Sequence, residues 1–151
     1  MMRRKGMKHV LGFTLIEMVL SVAMFTLILT MTLPMLRTFT VRNDLDVATN
    51  SVVQNMRRAQ TLSYLADGDT SWGIHLSVGS ILIYKGVSYA ARDQTYDEVT
   101  TIPTSIAIAG LSDVTFTKAT GMPQSTGTLT LTSALNDTRN ITINQKGMVD
   151  Y

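Results

Sequence analysis

Residues 12–36 read GFTLIEMVLSVAMFTLILTMTLPML, and from Phe13 to Leu36 the only ionisable side chain is Glu17. A helix of these 24 residues would rise about 36 Å at roughly 1.5 Å per residue, enough for a hydrocarbon core of about 30 Å. Ahead of it stands MMRRKGMKHVL, with Arg3, Arg4, Lys5 and Lys8. That basic cluster predicts a cytoplasmic N-terminus, with the rest of the chain on the outer face of the membrane. A secretory signal would have a shorter apolar core followed by a small-x-small cleavage site, and neither is present. A plain signal anchor fits the length but leaves Glu17 without a reason. A carboxylate near a helix centre costs about 2.5–3.5 kcal/mol on insertion scales, less near an end, and such a residue is a functional candidate by default.

The short basic leader, Gly12, Phe13, Glu17 and the apolar run together resemble the type III signal of type IV pilins and pseudopilins, over roughly residues 3–36. The resemblance implies that a prepilin peptidase cuts between Gly12 and Phe13 on the cytoplasmic side and methylates the new Phe13 amine. The apolar helix then stays in membrane lipid as an anchor until an inner-membrane assembly platform, driven by a separate ATPase, adds it to a filament of other pilin or pseudopilin subunits. Gly12 suits a peptidase pocket that needs an unhindered backbone. Glu17 falls one helical turn from Phe13 on the same face, and the positive end of a helix favours a carboxylate there. The resemblance pairs Glu17 with the Phe13 amine of a neighbouring subunit. Burying that pair costs desolvation, so it reads as setting register more than adding affinity. Pro34 falls where many pilins carry a helix-kinking proline; on the residues alone it either bends the helix or ends the span.

Beyond the span, Leu45, Ala48, Val52, Met56, Ala59, Leu62 and Ala66 recur at three- and four-residue steps. That rhythm predicts an amphipathic helical continuation over 37–66, closed by Asp67-Gly68-Asp69. From Trp72 the texture changes to short runs rich in Ile, Val, Thr and Tyr, predicting strands at Gly73–Leu76, Ser80–Lys85, Ser88–Ala91, Ser105–Ala109, Val114–Thr117, Gly127–Thr132 and Arg139–Asn144. Alternation at Leu129, Leu131, Ile141 and Ile143 predicts one apolar sheet face laid over the helix stripe. The expected fold is α+β and pilin-like: a long N-terminal helix, transmembrane then amphipathic, packed on an antiparallel sheet. Its parts are a leader (1–12), a membrane half (13–36), an amphipathic half (37–66) and a β-rich head (67–151). The stretch from Phe116 through Gly121-Met122-Pro123 to Gly127–Leu131 and Arg139–Val149 resembles the heads of minor pseudopilins, of the type II secretion and FimT-like group or of Gram-positive competence systems. The chain lacks the C-terminal cysteine pair of many major pilins, which favours a minor role.

Composition closes off several other functions. With no cysteine there is no disulfide framework, thiolate metal site or thiol nucleophile. The two histidines are His9, in the leader, and His75, expected as a solvent-facing strand residue; no catalytic spacing, P-loop or G-x-G-x-x-G is present. An enzyme, a cofactor and a metal are therefore not expected. Asp67 with Asp69, or Asp93, Asp97 and Glu98, could in principle offer oxygens to calcium, but a solvated turn is the default. Asn136-Asp-Thr and Asn140-Ile-Thr match a glycosylation sequon. DNA is a further partner to weigh, through Arg57, Arg58, Arg92, Arg139 and Lys146, which form no continuous run. The chain's basicity belongs to the leader: the remainder holds nine basic against eleven acidic residues. The expected role is thus a structural, minor subunit of a pilus-like filament. The alternatives are a signal-anchored surface protein that never polymerises and a DNA-capturing tip subunit.

Overall fold

The computed structural model describes residues 12–151, apart from the side chains of 31–35. The chain divides into two units, one ending at Arg37 and one running from Thr38 to Tyr151. A single helix, α1 (Leu15–Tyr64), contributes to both.

In the first unit the helix carries its apolar side chains bare, from Leu15 at 83% exposure to Leu29 at 59%. Its hydroxyls bond back to its own carbonyls: Ser21 to Glu17, Thr26 to Val22 and Thr30 to Leu27. That habit satisfies a polar side chain where water is scarce. Among the described residues no helix is long and apolar enough to cross a membrane. The described side chains of the apolar run stop at Thr30, short of the roughly 20 residues that a span takes. The helical run is unbroken at Pro34, whose side chain lies outside the described residues, as does all of the expected leader (1–12) except Gly12.

In the second unit eight strands follow α1: β1 (Trp72–Ser77), β2 (Ser80–Lys85), β3 (Asp93–Thr101), β4 (Ala107–Gly110), β5 (Asp113–Phe116), β6 (Gly127–Thr132), β7 (Thr138–Ile143) and β8 (Val149–Asp150). They form two four-stranded antiparallel sheets, ordered β3-β2-β1-β5 and β4-β6-β7-β8, where one sheet was expected. The chain passes between the sheets three times, at the β3–β4, β4–β5 and β5–β6 connections; the first turns through Pro103, with Ile106 N–H donating to its carbonyl, and sends Ile102 and Ile106 inward.

The helix stripe is buried as its spacing predicts at Leu45, Ala48, Val52, Met56 and Ala59, with Val53 added and Leu62 at the margin. It shares one core with Trp72, Ile74, Ile81, Ile83, Val114 and Phe116 of the first sheet, and with Leu129, Leu131, Ile141 and Ile143 of the second. Each fully buried aliphatic side chain contributes about 1.5–3 kcal/mol relative to exposure. Ala66 falls outside the helix, in the left-handed region at φ 51°. The chain is latched as it leaves α1: the buried Ser63 hydroxyl accepts from Trp72 N at 2.8 Å and lies 3.1 Å from the Trp72 carbonyl, to which it donates. Trp72 Nε1 donates to the Asp67 carbonyl at 2.9 Å.

One further expectation is corrected. Ser88–Ala91 is a turn closed by Ala91 N–H on the Ser88 carbonyl, and the strand lies after it, at Asp93–Thr101. β3 is an edge strand, mostly exposed on both faces, so it shows no alternation to read.

Candidate functional site

At the start of the described chain Thr14 caps α1. Its hydroxyl accepts from Glu17 N–H at 3.3 Å, and its carbonyl accepts from Met18 N–H. Thr14-Leu-Ile-Glu17 is the S/T-x-x-E pattern that satisfies free amides at a helix start, a signal present in the sequence and passed over in reading it. Glu17 therefore sits in the first helical turn, where the partial positive charge of the helix end favours it. Its carboxylate has no hydrogen-bond or ion-pair partner among the described residues. Phe13 lies just outside the helix and is 78% exposed. A methyl group on Gly12 would meet nothing within 4 Å. Among the described residues, Gly12, Phe13 and Glu17 thus form an open, capped end with one unpaired carboxylate amid exposed apolar side chains.

The second concentration of chemistry lies on the outer face of the first sheet. Strand register places Gly73 between Tyr84 and Thr115, and His75 between Leu82 and Asp113. Tyr84 is fully buried and lies across Gly73. Its hydroxyl donates to Asp113 Oδ1 at 2.7 Å and lies 2.6 Å from Thr115 Oγ1. With the tyrosine proton committed to the carboxylate, the threonine is the donor in the second contact. The β2–β3 connection folds back over this face. Tyr89 stacks on the His75 ring at 3.8 Å and meets Tyr84 edge-on, and Arg92 lies over the Tyr89 ring at 4.1 Å. Arg92 is also bound to Asp97 at 3.0 Å and to the Tyr89 carbonyl. His75 is therefore half-buried in an aromatic stack, and the expectation of a solvent-facing residue is corrected.

Burial pushes the Tyr84 phenol well above its ordinary value of 10, with the adjacent Asp113 carboxylate adding to the rise and Thr115 opposing it. The folded state thus holds the Tyr84 proton more tightly than the unfolded chain does. Stability is full below the unfolded value near 10 and falls above it, by about 1.4 kcal/mol for each pH unit until the folded value is reached. Denaturation midpoints measured above pH ~10 are expected to drop more steeply in the wild type than in Tyr84→Phe. Equal slopes would remove Tyr84 as the cause.

Four of the five acidic positions considered for calcium, all but Asp67, are already engaged. Asp69 is held below the usual carboxylate range by its hydrogen bond from Lys118. Asp97 binds Arg92 and Glu98 binds Arg58. Asp93 accepts from Thr95 N–H, which lowers it. Among the described residues no three metal-ligating side chains gather. The basic residues weighed for DNA do not converge either: Arg58, Arg92 and Arg139 are spent on Glu98, Asp97 and Asp46. Arg57 and Lys146 line one shallow groove between α1 and the β7–β8 turn, with Tyr151 at 5.9 Å from the Arg57 guanidinium.

Among solved structures, the chain is similar to the minor pseudopilin EpsH from the type 2 secretion system of Vibrio cholerae. The TM-score is 0.53 at 10% sequence identity, over 71% of this chain and 94% of that one. The likeness is one of fold: an N-terminal helix joined to antiparallel sheets in the pseudopilin manner. No protein-family model and no curated protein matches the sequence.

Proposed function

We propose that this chain, which has a pseudopilin-like fold, is a minor subunit of a pilus-like filament, either a secretion pseudopilus or a type IV pilus. In this reading residues 13–36 anchor it in the cytoplasmic membrane with the head outside. A prepilin peptidase removes residues 1–12 and methylates Phe13, and other pilin or pseudopilin subunits then take up the helix. The observation that supports it best is the Glu17 carboxylate, unpaired among the described residues, in the capped first turn of a helix whose large apolar side chains from Leu15 to Leu29 stand exposed. Such a surface needs lipid or other helices around it, since water-exposed apolar area of that extent marks an interaction surface. A lone carboxylate inside that surface needs a cation, and a neighbour's new amine supplies one at the right level.

The membrane reading draws on the sequence of 13–36 as a whole, including the residues whose side chains are not described. A nucleic-acid role gains no support from the head, where three of the five candidate cations are neutralised.

The test is the mass of the N-terminal peptide of the membrane-extracted protein, with and without a co-expressed prepilin peptidase. The expected result is a peptide beginning at methylated Phe13 only when the peptidase is present. An intact leader under both conditions would overturn the proposal in favour of a plain signal anchor.

A further inference from the structure

The second sheet ends at β8, and a groove of about 490 Å³ runs between that edge and the last turns of α1. The turn before β8 decides which way its backbone groups point. Asn144 N–H donates to the Met148 carbonyl at 3.1 Å, and Gly147 N–H donates to the Asn144 carbonyl at 2.9 Å. Asn144 is thus hydrogen-bonded across the turn. In an antiparallel ladder the next such pair is Thr142 with Asp150, and Ile143 with Val149 falls between them. In that intermediate position the N–H and C=O of Val149 point away from β7 into the open edge. Neither has a partner among the described residues.

Unmatched positive charge collects beside this edge. The head holds eight Lys and Arg residues from Arg42 onward. Arg42, Arg58, Arg92, Lys118 and Arg139 are ion-paired, and Lys85 lies over the Tyr96 ring at 3.9 Å. That leaves Arg57 and Lys146, which have no carboxylate partner among the described residues, and both line the groove. Asp150 lines the adjoining hollow with Thr142 and Asn144 instead. The floor is set before anything binds. Gln60 Nε2 donates to the Gly121 carbonyl at 3.1 Å, and Gly147, in the left-handed region at φ 78°, leaves room for that amide, which a Cβ at 147 would strike. The other sheet edges differ: β5 is covered by Pro123 and Gln124, β4 carries no charged residue, and β3 carries Asp93, Asp97 and Glu98. Among the described edges, free main-chain groups and unmatched cations coincide at β8.

We propose that the β8 edge and the Arg57–Lys146 groove form a docking site for an extended, acidic peptide segment of a partner protein, which joins the second sheet as a further strand. In strand addition the main chain supplies affinity and the flanking side chains supply selectivity. Val149 offers one donor and one acceptor in strand geometry, and charge complementarity with Arg57 and Lys146 selects carboxylates. Met148, 65% exposed on the rim, gives the segment's uncharged side chains an adaptable apolar contact. A nucleic-acid strand would satisfy the cations but has no amide N–H and C=O in strand spacing to meet Val149. The site lies wholly within the head, so it stands or falls apart from the processing of Gly12 and Phe13.

The test is fluorescence anisotropy with the full-length chain in an uncharged detergent and the labelled, acetylated peptide Thr-Glu-Val-Glu-Glu-Val as probe. This peptide offers carboxylates on both faces of an extended chain. It is expected to bind roughly tenfold or more tighter than the same peptide with lysine for glutamate, the range open to two exposed ion pairs. N-methylation of alternate peptide amides keeps every charge and removes main-chain donors. It is expected to weaken binding roughly fivefold or more, the worth of one or two hydrogen bonds. Arg57→Gln combined with Lys146→Gln changes two exposed side chains outside the core, and is expected to erase the preference for the acidic peptide. No binding of the acidic peptide, equal binding of the lysine peptide, or no loss on N-methylation would overturn the site. So would an undiminished preference in the double variant. Displacement of the peptide by an equal concentration of a short thymidine oligonucleotide would overturn it too, in favour of a general anion surface.

Discussion

Gly73→Ala is expected to destabilise the head by about 3 kcal/mol, the upper range for forcing a carbon into a packed site. Gly73 sits mid-strand in β1, directly opposite Tyr84 on one side and Thr115 on the other. A Cβ there would come within 2.5 Å of Tyr84 Cζ and Oη and 2.8 Å of the Val114 carbonyl oxygen. The reason for glycine is space, not backbone conformation. Tyr84 cannot swing aside cheaply, because its hydroxyl is bound to Asp113 and Thr115 and its ring is covered by Tyr89. Denaturant midpoints would measure the loss. In a Tyr84→Leu background the same change should cost markedly less, with a remainder from the Val114 carbonyl. A loss under about 1 kcal/mol, or an equal loss in both backgrounds, would show that the ring is not what holds Gly73.

That slot also marks the boundary of what could be read from the sequence. The helix stripe was legible because Leu45, Ala48, Val52, Met56 and Ala59 repeat at helical steps and all are buried. Ser80–Lys85 and Gly127–Thr132 match observed strands at both ends, and the alternation of Leu129, Leu131, Ile141 and Ile143 does face the core. The outer cluster was not legible, since Gly73, His75, Tyr84 and Asp113 meet only through cross-strand register between segments up to forty residues apart in sequence. One signal for it existed: a glycine inside a strand often marks close approach of another group. Val87 and Tyr89 imitate strand alternation, yet Tyr89 folds back because its ring is worth more against His75 and Tyr84 than in solvent. The candidate assembly residues were read from local pattern alone, as they lie within six positions of one another. What the sequence reading lacked there was the Thr14 cap, which gives Glu17 a place in the helix start before any neighbour is considered.

The cap gives Glu17 two possible jobs, and a pair of substitutions separates them. Glu17→Leu is expected to leave membrane insertion intact, since it removes a charge that insertion disfavours, while incorporation into filaments falls by about a hundredfold or more. The magnitude follows from leaving a neighbour's amine buried without its partner, a loss of about 3–5 kcal/mol, where each 1.4 kcal/mol is about a factor of ten. Glu17→Gln is the decisive companion. Glutamine can serve at this position of a helix start nearly as well as glutamate, yet it cannot neutralise an ammonium. If charge pairing between subunits is the role, the glutamine variant fails to assemble as the leucine variant does. If the carboxylate serves only its own helix end, the glutamine variant assembles normally. The measurement is the ratio of sheared filament to membrane-held subunit, with N-terminal processing checked in each variant so that a cleavage defect is not mistaken for an assembly defect. Normal assembly of the leucine variant would sink the registry role altogether. Normal assembly of the glutamine variant alone would move Glu17 from intersubunit pairing to helix capping and leave the filament's register to the apolar surface of α1.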